Sequence, residues 1–128
     1  MTILVDGENL FRALPLGGGR GSLKGKSAAT EEFLQRLELA AANRDWEVVV
    51  VLDGPERFLR RETGPLVIRY APKGTTADTL IERLVYQAKE RAQVVVVTRD
   101  RAEADLVLGL GARVWDPRRF LEELSLKE

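Results

Sequence analysis

The 128 residues include no cysteine and no histidine, and methionine occurs once. Without cysteine there is no disulfide, no thiol nucleophile and no Cys-ligated zinc. Without histidine there is no Ser-His-Asp triad, no His-bound zinc and no imidazole to cleave RNA. An excess of one charge is also missing, since 20 Lys and Arg balance 20 Asp and Glu. That balance argues against a highly charged nucleic-acid coat and leaves local patches open. No apolar run approaches the ~20 residues needed to cross a bilayer. The opening Thr2-Ile3-Leu4-Val5-Asp6 has no basic stretch followed by an apolar core, so no signal peptide is visible. The expectation is a soluble cytoplasmic protein. The chemistry that remains rests on carboxylates, Lys and Arg, hydroxyls and the backbone. Its simplest catalytic form is a carboxylate site for a hard cation such as Mg²⁺ or Mn²⁺.

The length suits a single domain, residues 1–128, that buries roughly two-thirds of its unfolded surface. Five Val- and Ile-rich runs read as strands: Thr2 to Val5, Glu47 to Leu52, Leu66 to Tyr70, Gln93 to Thr98 and Ala112 to Trp115. Two of them carry continuous valines, Val48 to Val51 and Val94 to Val97, as strands covered on both faces do. Helical spacing runs over Ser27 to Arg44 and Thr76 to Arg91, with shorter helices at Arg101 to Leu108 and Pro117 to Leu124. Alternating strands and helices predict an α/β fold: a doubly wound, mostly parallel five-stranded sheet, order 3-2-1-4-5, with helices on both faces.

In such a sheet the residue just past each strand points into a shared crevice. Asp6, Asp53, Asp100 and Asp116 occupy four of those five positions. Clustered carboxylates repel, and a divalent cation would offset that repulsion. For Asp116, followed by Pro117 at a helix start, capping is the better account; for Asp6 and Asp100, a functional role is. The helix from Thr76 adds Asp78 in its first turn and Glu82 one turn on, while Glu103 and Asp105 rank below them. Leu16 to Lys26 holds five glycines with Arg20, Lys24 and Lys26, and reads as a phosphate-gripping loop at the sheet's carboxyl edge. It is not a Walker A loop, because Arg20 stands where that motif needs glycine. Further cations, including Arg60, Arg61, Lys73, Arg99 and Arg118, follow strands and would form a cationic rim. Phe58, Leu59 or Trp115 would supply any dimer patch, leaving monomer and homodimer both open.

Four motifs in series resemble one family. Val5-Asp6-Gly7-Glu8-Asn9 resembles the DGxN opening of NYN domains in the PIN-like nuclease group. Val51-Leu52-Asp53-Gly54 resembles their second acidic strand end. Thr76-Ala77-Asp78 through Glu82 to Leu84 resembles the TADxxIExL helix of the YacP-like branch. Thr98-Arg99-Asp100 and Gly109-Leu110-Gly111-Ala112 resemble its TxD strand end and GxGA turn. The resemblance implies a PIN-like fold and a Mg²⁺- or Mn²⁺-dependent endoribonuclease acting in the processing or decay of messenger, transfer or ribosomal RNA. A larger particle such as the ribosome would be one way of presenting that RNA. It implies Asp6, Asp78 and Asp100 as metal ligands, with Asp53 completing the cluster. Asn9, Glu82 and Thr98 would support it, and Arg20, Lys24, Lys26, Lys73 and Arg99 would meet RNA phosphates. Glu8, where this branch often has Tyr, and Arg99, where a small hydroxyl is common, depart from the pattern.

Three alternatives stand beside this reading. A non-catalytic RNA-binding NYN module would keep the fold and bind no metal. A PIN-type toxin would sit beside a small antitoxin gene. A phosphoacceptor domain would need adjacent acids after the first strand and Lys after the fifth, where this chain has Gly7 and Asp116.

Overall fold

The structure, a computed structural model, describes residues 1–14, 28–54 and 59–125. Its strands are β1 (Thr2–Asp6), β2 (Glu47–Leu52), β3 (Leu66–Tyr70), β4 (Val94–Val97) and β5 (Arg113–Trp115). They form one sheet in the order β3-β2-β1-β4-β5, and every pairing is parallel. The doubly wound expectation holds, and "mostly parallel" becomes wholly parallel. The helices are α1 (Gly7–Arg12), α2 (Ala28–Asn43), α3 (Ala77–Gln87), α4 (Arg101–Gly109) and α5 (Pro117–Ser125).

The valine runs explain the layering. Successive side chains of a strand point to opposite faces. Ile3, Val5, Val48, Val50, Val95 and Val97 therefore join one core with Leu34, Leu37 and Phe120 from α2 and α5. Leu4, Val51, Val94 and Val96 join the other with Leu80, Ile81, Val85 and Val107 from α3 and α4. Each such side chain contributes about 1.5–3 kcal/mol by leaving water, so both faces hold the sheet. No helix among the described residues is long and apolar enough to cross a membrane.

Four expectations need correction or fall outside view. Helix α1 was not foreseen, because six residues opening on glycine are too short to show a period. The helix expected to reach Arg91 stops at Gln87, and Ala88 turns extended at ψ 139°. Arg91, in a 3-10 turn (Arg91–Gln93), donates to the Tyr86 carbonyl at 3.0 Å and lies 4.9 Å from the Tyr86 ring centre, closing that helix end. Leu59 and Trp115 are buried rather than forming a surface patch. Leu59 exchanges backbone bonds with the Tyr70 hydroxyl, and Trp115 packs edge-on to Trp46 at 6.0 Å. The glycine-rich loop with Arg20, Lys24 and Lys26 lies outside the described residues, as does Phe58.

At the amino edge of the sheet, one guanidinium ties two helix ends together. Arg44 donates to the Ala40 carbonyl at the end of α2 and to the Glu123 and Leu124 carbonyls of α5, at 3.0 to 3.2 Å. At the carboxyl edge the tight spot is Gly7, where α1 starts against β2. A Cβ there would fall on Cδ2 of Leu52, with Val50 Cγ1 and the Val51 carbonyl oxygen each 3.0 Å away. Backbone cannot yield as a flexible side chain can. Gly7→Ala is expected to lower stability by about 1–3 kcal/mol through overpacking. A urea midpoint unchanged from wild type would show that β2 moves aside freely.

Candidate metal and nucleic-acid site

β1 and β4 lie side by side at the centre of the sheet, and the helices that follow them pack on opposite faces. That divergence opens the crevice in which doubly wound folds bind ligands. Asp6 ends β1 and caps α1, its Oδ1 accepting from the Asn9 amide at 3.5 Å. Asn9 turns its own side chain across the crevice. Its Oδ1 accepts from the Arg99 amide at 2.6 Å, so the first turn of α1 holds the loop after β4.

Four residues on from Arg99, the chain buries an acid. Glu103 is 2% exposed. The Thr98 hydroxyl donates to Glu103 Oε1 at 2.6 Å and accepts from the Asp100 amide at 3.0 Å. Asp100 caps α4, its Oδ1 accepting from the Glu103 amide at 3.1 Å. These bonds leave Glu103 Oε2 buried and without a partner. It belongs to a carboxyl group within hydrogen-bonding reach of Asp6.

The opposite wall comes from α3. Asp53, just past β2, accepts from the Ala77 amide at 2.6 Å, an anion seated at a helix N-terminus. Thr76 caps the same helix, and Asp78 Oδ1 accepts from the Thr76 hydroxyl and from the Thr79 amide at 3.0 Å. Asp53 and Asp78 thus have structural work at the start of α3, yet their charges reach the crevice. Asp53 raises the pKa of Asp6, and Asp78 raises those of Glu82 and Glu103.

The Glu103 pKa is pushed up to about 8. Burial is the largest cause, opposed by the Thr98 hydroxyl and reinforced by Asp6 and Asp78. Asp6 is also raised, first by burial and then by Glu8 and Asp53, against the Asn9 amide and Glu103. Glu82 is raised by burial and then by Asp78. Repulsion between carboxylates, the expected driver, ranks below burial at all three.

Of the anticipated site, the structure therefore brings Asp6, Asp53, Asp78, Asn9 and Thr98 around one crevice, with Glu82 beside Asp78. Asp100 is exposed, with its carboxylate turned onto α4. Asp116 caps α5 as expected, accepting from the Arg118 amide at 2.7 Å. Lys73 and Arg99 stand exposed on the turns that lead into α3 and α4. Arg61 does not join a cationic rim, because Glu31 and Glu38 hold it at 3.1 and 3.7 Å. Among the described residues, no three acidic side chains are grouped so as to hold a metal ion.

Glu103 is the residue that sequence reasoning undervalued. Its signal was present: an acid three positions after a capping Asp, on the face that also carries the buried Val107. An acid on an apolar face implies a buried partner.

A wholly parallel sheet in this order, with acids where β1 and β4 part, defines a doubly wound α/β domain with a crevice at its switch point. The family model for the YacP-like NYN domain matches residues 3–128, and the chain belongs to that family. Membership brings an RNA-related, nuclease-type class. Two solved structures share the fold. Rae1 (YacP) from Bacillus subtilis is 23% identical with a TM-score of 0.78, over 98% of this chain and 74% of that one. A point mutant of the same protein is 24% identical with a TM-score of 0.75, over 98% and 75%. No curated protein matches the sequence.

Buried Glu103 gives a pH dependence with a definite sign. Glu103 binds its proton more tightly folded, up to about pH 8, than unfolded, where the ordinary value is 4.5. Its contribution is fully present below about pH 4.5 and is lost as pH rises through about 8. In metal-free buffer the denaturation midpoint is expected to fall between pH 5 and 9, and to fall less in Glu103→Gln. Parallel pH profiles for the two proteins would refute the assignment.

Proposed function

We propose that this domain is a Mg²⁺- or Mn²⁺-dependent endoribonuclease that hydrolyses RNA phosphodiesters. The observation that carries this reading is the pairing of half-buried Asp6 with buried Glu103 at the β1–β4 junction, with one Glu103 oxygen unpartnered. Family membership supports the nuclease class.

The donor set fits a hard cation, being all oxygen. The absence of a three-acid group among the described residues argues against a closed protein cage. It fits the habit of Mg²⁺, which takes one or two carboxylates and completes its shell with water and substrate phosphates. Asp6 would hold the ion; the family resemblance adds Asp78 and Asp100, with Asp53 beside them, though among the described residues no three of these acids are grouped to share one ion. When bound, the ion supplies Lewis-acid polarisation of a phosphate oxygen and lowers the pKa of water.

The remaining work falls to the chain. Asn9 fixes the loop after β4 relative to Asp6, setting the crevice width before RNA arrives. Lys73 and Arg99, both exposed, neutralise the phosphates on either side of the scissile bond. Arg20, Lys24 and Lys26 would extend that contact. On this reading the attacking group is water, so the products carry 5′-phosphate and 3′-hydroxyl ends.

The test is cleavage of a circular RNA, which has no ends for an exonuclease. Nicking in Mn²⁺ but not in EDTA is expected, with 5′-phosphate termini. Asp6→Asn should lose about 100-fold or more in rate, since even outer partners of a metal site cost 10–100-fold, while keeping wild-type circular dichroism. Cyclic phosphate ends would sink the mechanism. A folded protein that binds RNA but neither binds Mn²⁺ nor cleaves would instead be a binding module.

A further inference from the structure

We propose that Glu103, rather than Asp100, is the carboxylate that joins Asp6 in holding the divalent cation, and that Asp100 and Thr98 are positioning residues for it. This rests on the metal-dependent reading above and names which acid of the β4–α4 corner touches the ion.

Three observations carry it. The first is burial: Glu103 is 2% exposed, and its Oε2 has no hydrogen-bond partner. An unsatisfied buried oxygen is costly, more so when charged, so a group kept there calls for a proton or a cation. The second is aim. The Thr98 hydroxyl holds Oε1 at 2.6 Å, which leaves Oε2 as the free oxygen of a carboxyl group within hydrogen-bonding reach of Asp6. Neighbouring carboxylates repel, and a cation held between them removes that repulsion. The third concerns Asp100. Its Oδ1 is engaged with the Glu103 amide at 3.1 Å as the cap of α4, and it is exposed where Glu103 is buried.

The corner thus works as an aiming device. Thr98 takes a bond from the Asp100 amide and gives one to Glu103. Asp100 starts the helix that carries Glu103 three residues later, so one loop both ends β4 and points an oxygen at Asp6. Orienting groups of this kind commonly change metal affinity 10–100-fold when removed.

The experiment is Mn²⁺ titration by calorimetry on the full chain, with thermal unfolding beside it. Glu103→Gln keeps shape and removes the charge, and should weaken Mn²⁺ at least about tenfold and abolish the Mn²⁺-induced rise in Tm. Asp100→Ser keeps a good cap and should lose less than Glu103→Gln. Thr98→Val, nearly the same shape without the hydroxyl, should fall between wild type and Glu103→Gln. Asp105→Asn, an equal loss of charge on the exposed side of α4, should bind as wild type does. Metal-free unfolding confirms that each variant is folded; should Glu103→Gln fail to fold, Thr98→Val against Asp105→Asn decides the question. Wild-type affinity in Glu103→Gln, or a greater loss in Asp100→Ser, overturns the assignment and leaves the metal-dependent reading intact. No Mn²⁺ binding by wild type overturns both.

Discussion

Two carboxyl groups brought together, one of them buried, repel each other unless a proton or a cation lies between them. Asp6 and Glu103 are held in that relation where β1 and β4 part, and the local architecture serves to enforce it. Gly7 lets α1 begin directly against β2, which seats Asp6 at the mouth of the crevice. Asn9 reaches from the same helix to the backbone of Arg99. Thr98 divides its hydroxyl between Asp100 and Glu103. Each of these is a short polar contact or close approach at a strand end, and each makes the pair harder to relieve by moving apart. The pair is pre-formed in this way at a cost in stability, which burial in the two valine-rich cores offsets.

The acids around the crevice divide into those that face it and those that hold helices in place. Asp53 and Asp78 do some of both, since they seat the N-terminus of α3 while their charges are felt at Asp6 and Glu103. Helix N-termini and anion sites share the same backbone donors. A carboxylate that caps a helix at the sheet's carboxyl edge is therefore already close to where a phosphate would lie.

Most of the fold was legible because burial on both faces leaves a mark that composition cannot hide. Glu47–Leu52 and Leu66–Tyr70 are strands to the residue, as their sequences imply, and the layer order follows from continuous valines. The capping role of Asp116 was equally plain, because Pro117 directly after it announces a helix start. What stayed hidden was short or relational. α1 is too brief to show a period, and the end of α3 depends on Arg91, which acts through carbonyls. Glu103 and Asp100 look interchangeable as neighbouring acids; only the three-residue offset between cap and first buried turn separates them. The burial of Trp115 depends on Trp46, far away along the chain, and no local pattern reveals such a pairing.

β1 is bonded in parallel on both sides, and its alternate side chains enter two different cores. A change of identity at one position disturbs one core. A gain or loss of one residue is a different kind of event, because it exchanges the two faces along the whole strand. Leu4 would then meet the packing built for Ile3 and Val5, and Asp6 would leave its place opposite Glu103. In the terms of molecular evolution, the centre of this sheet tolerates drift in spelling and forbids any change in length, so indels among relatives belong in its loops.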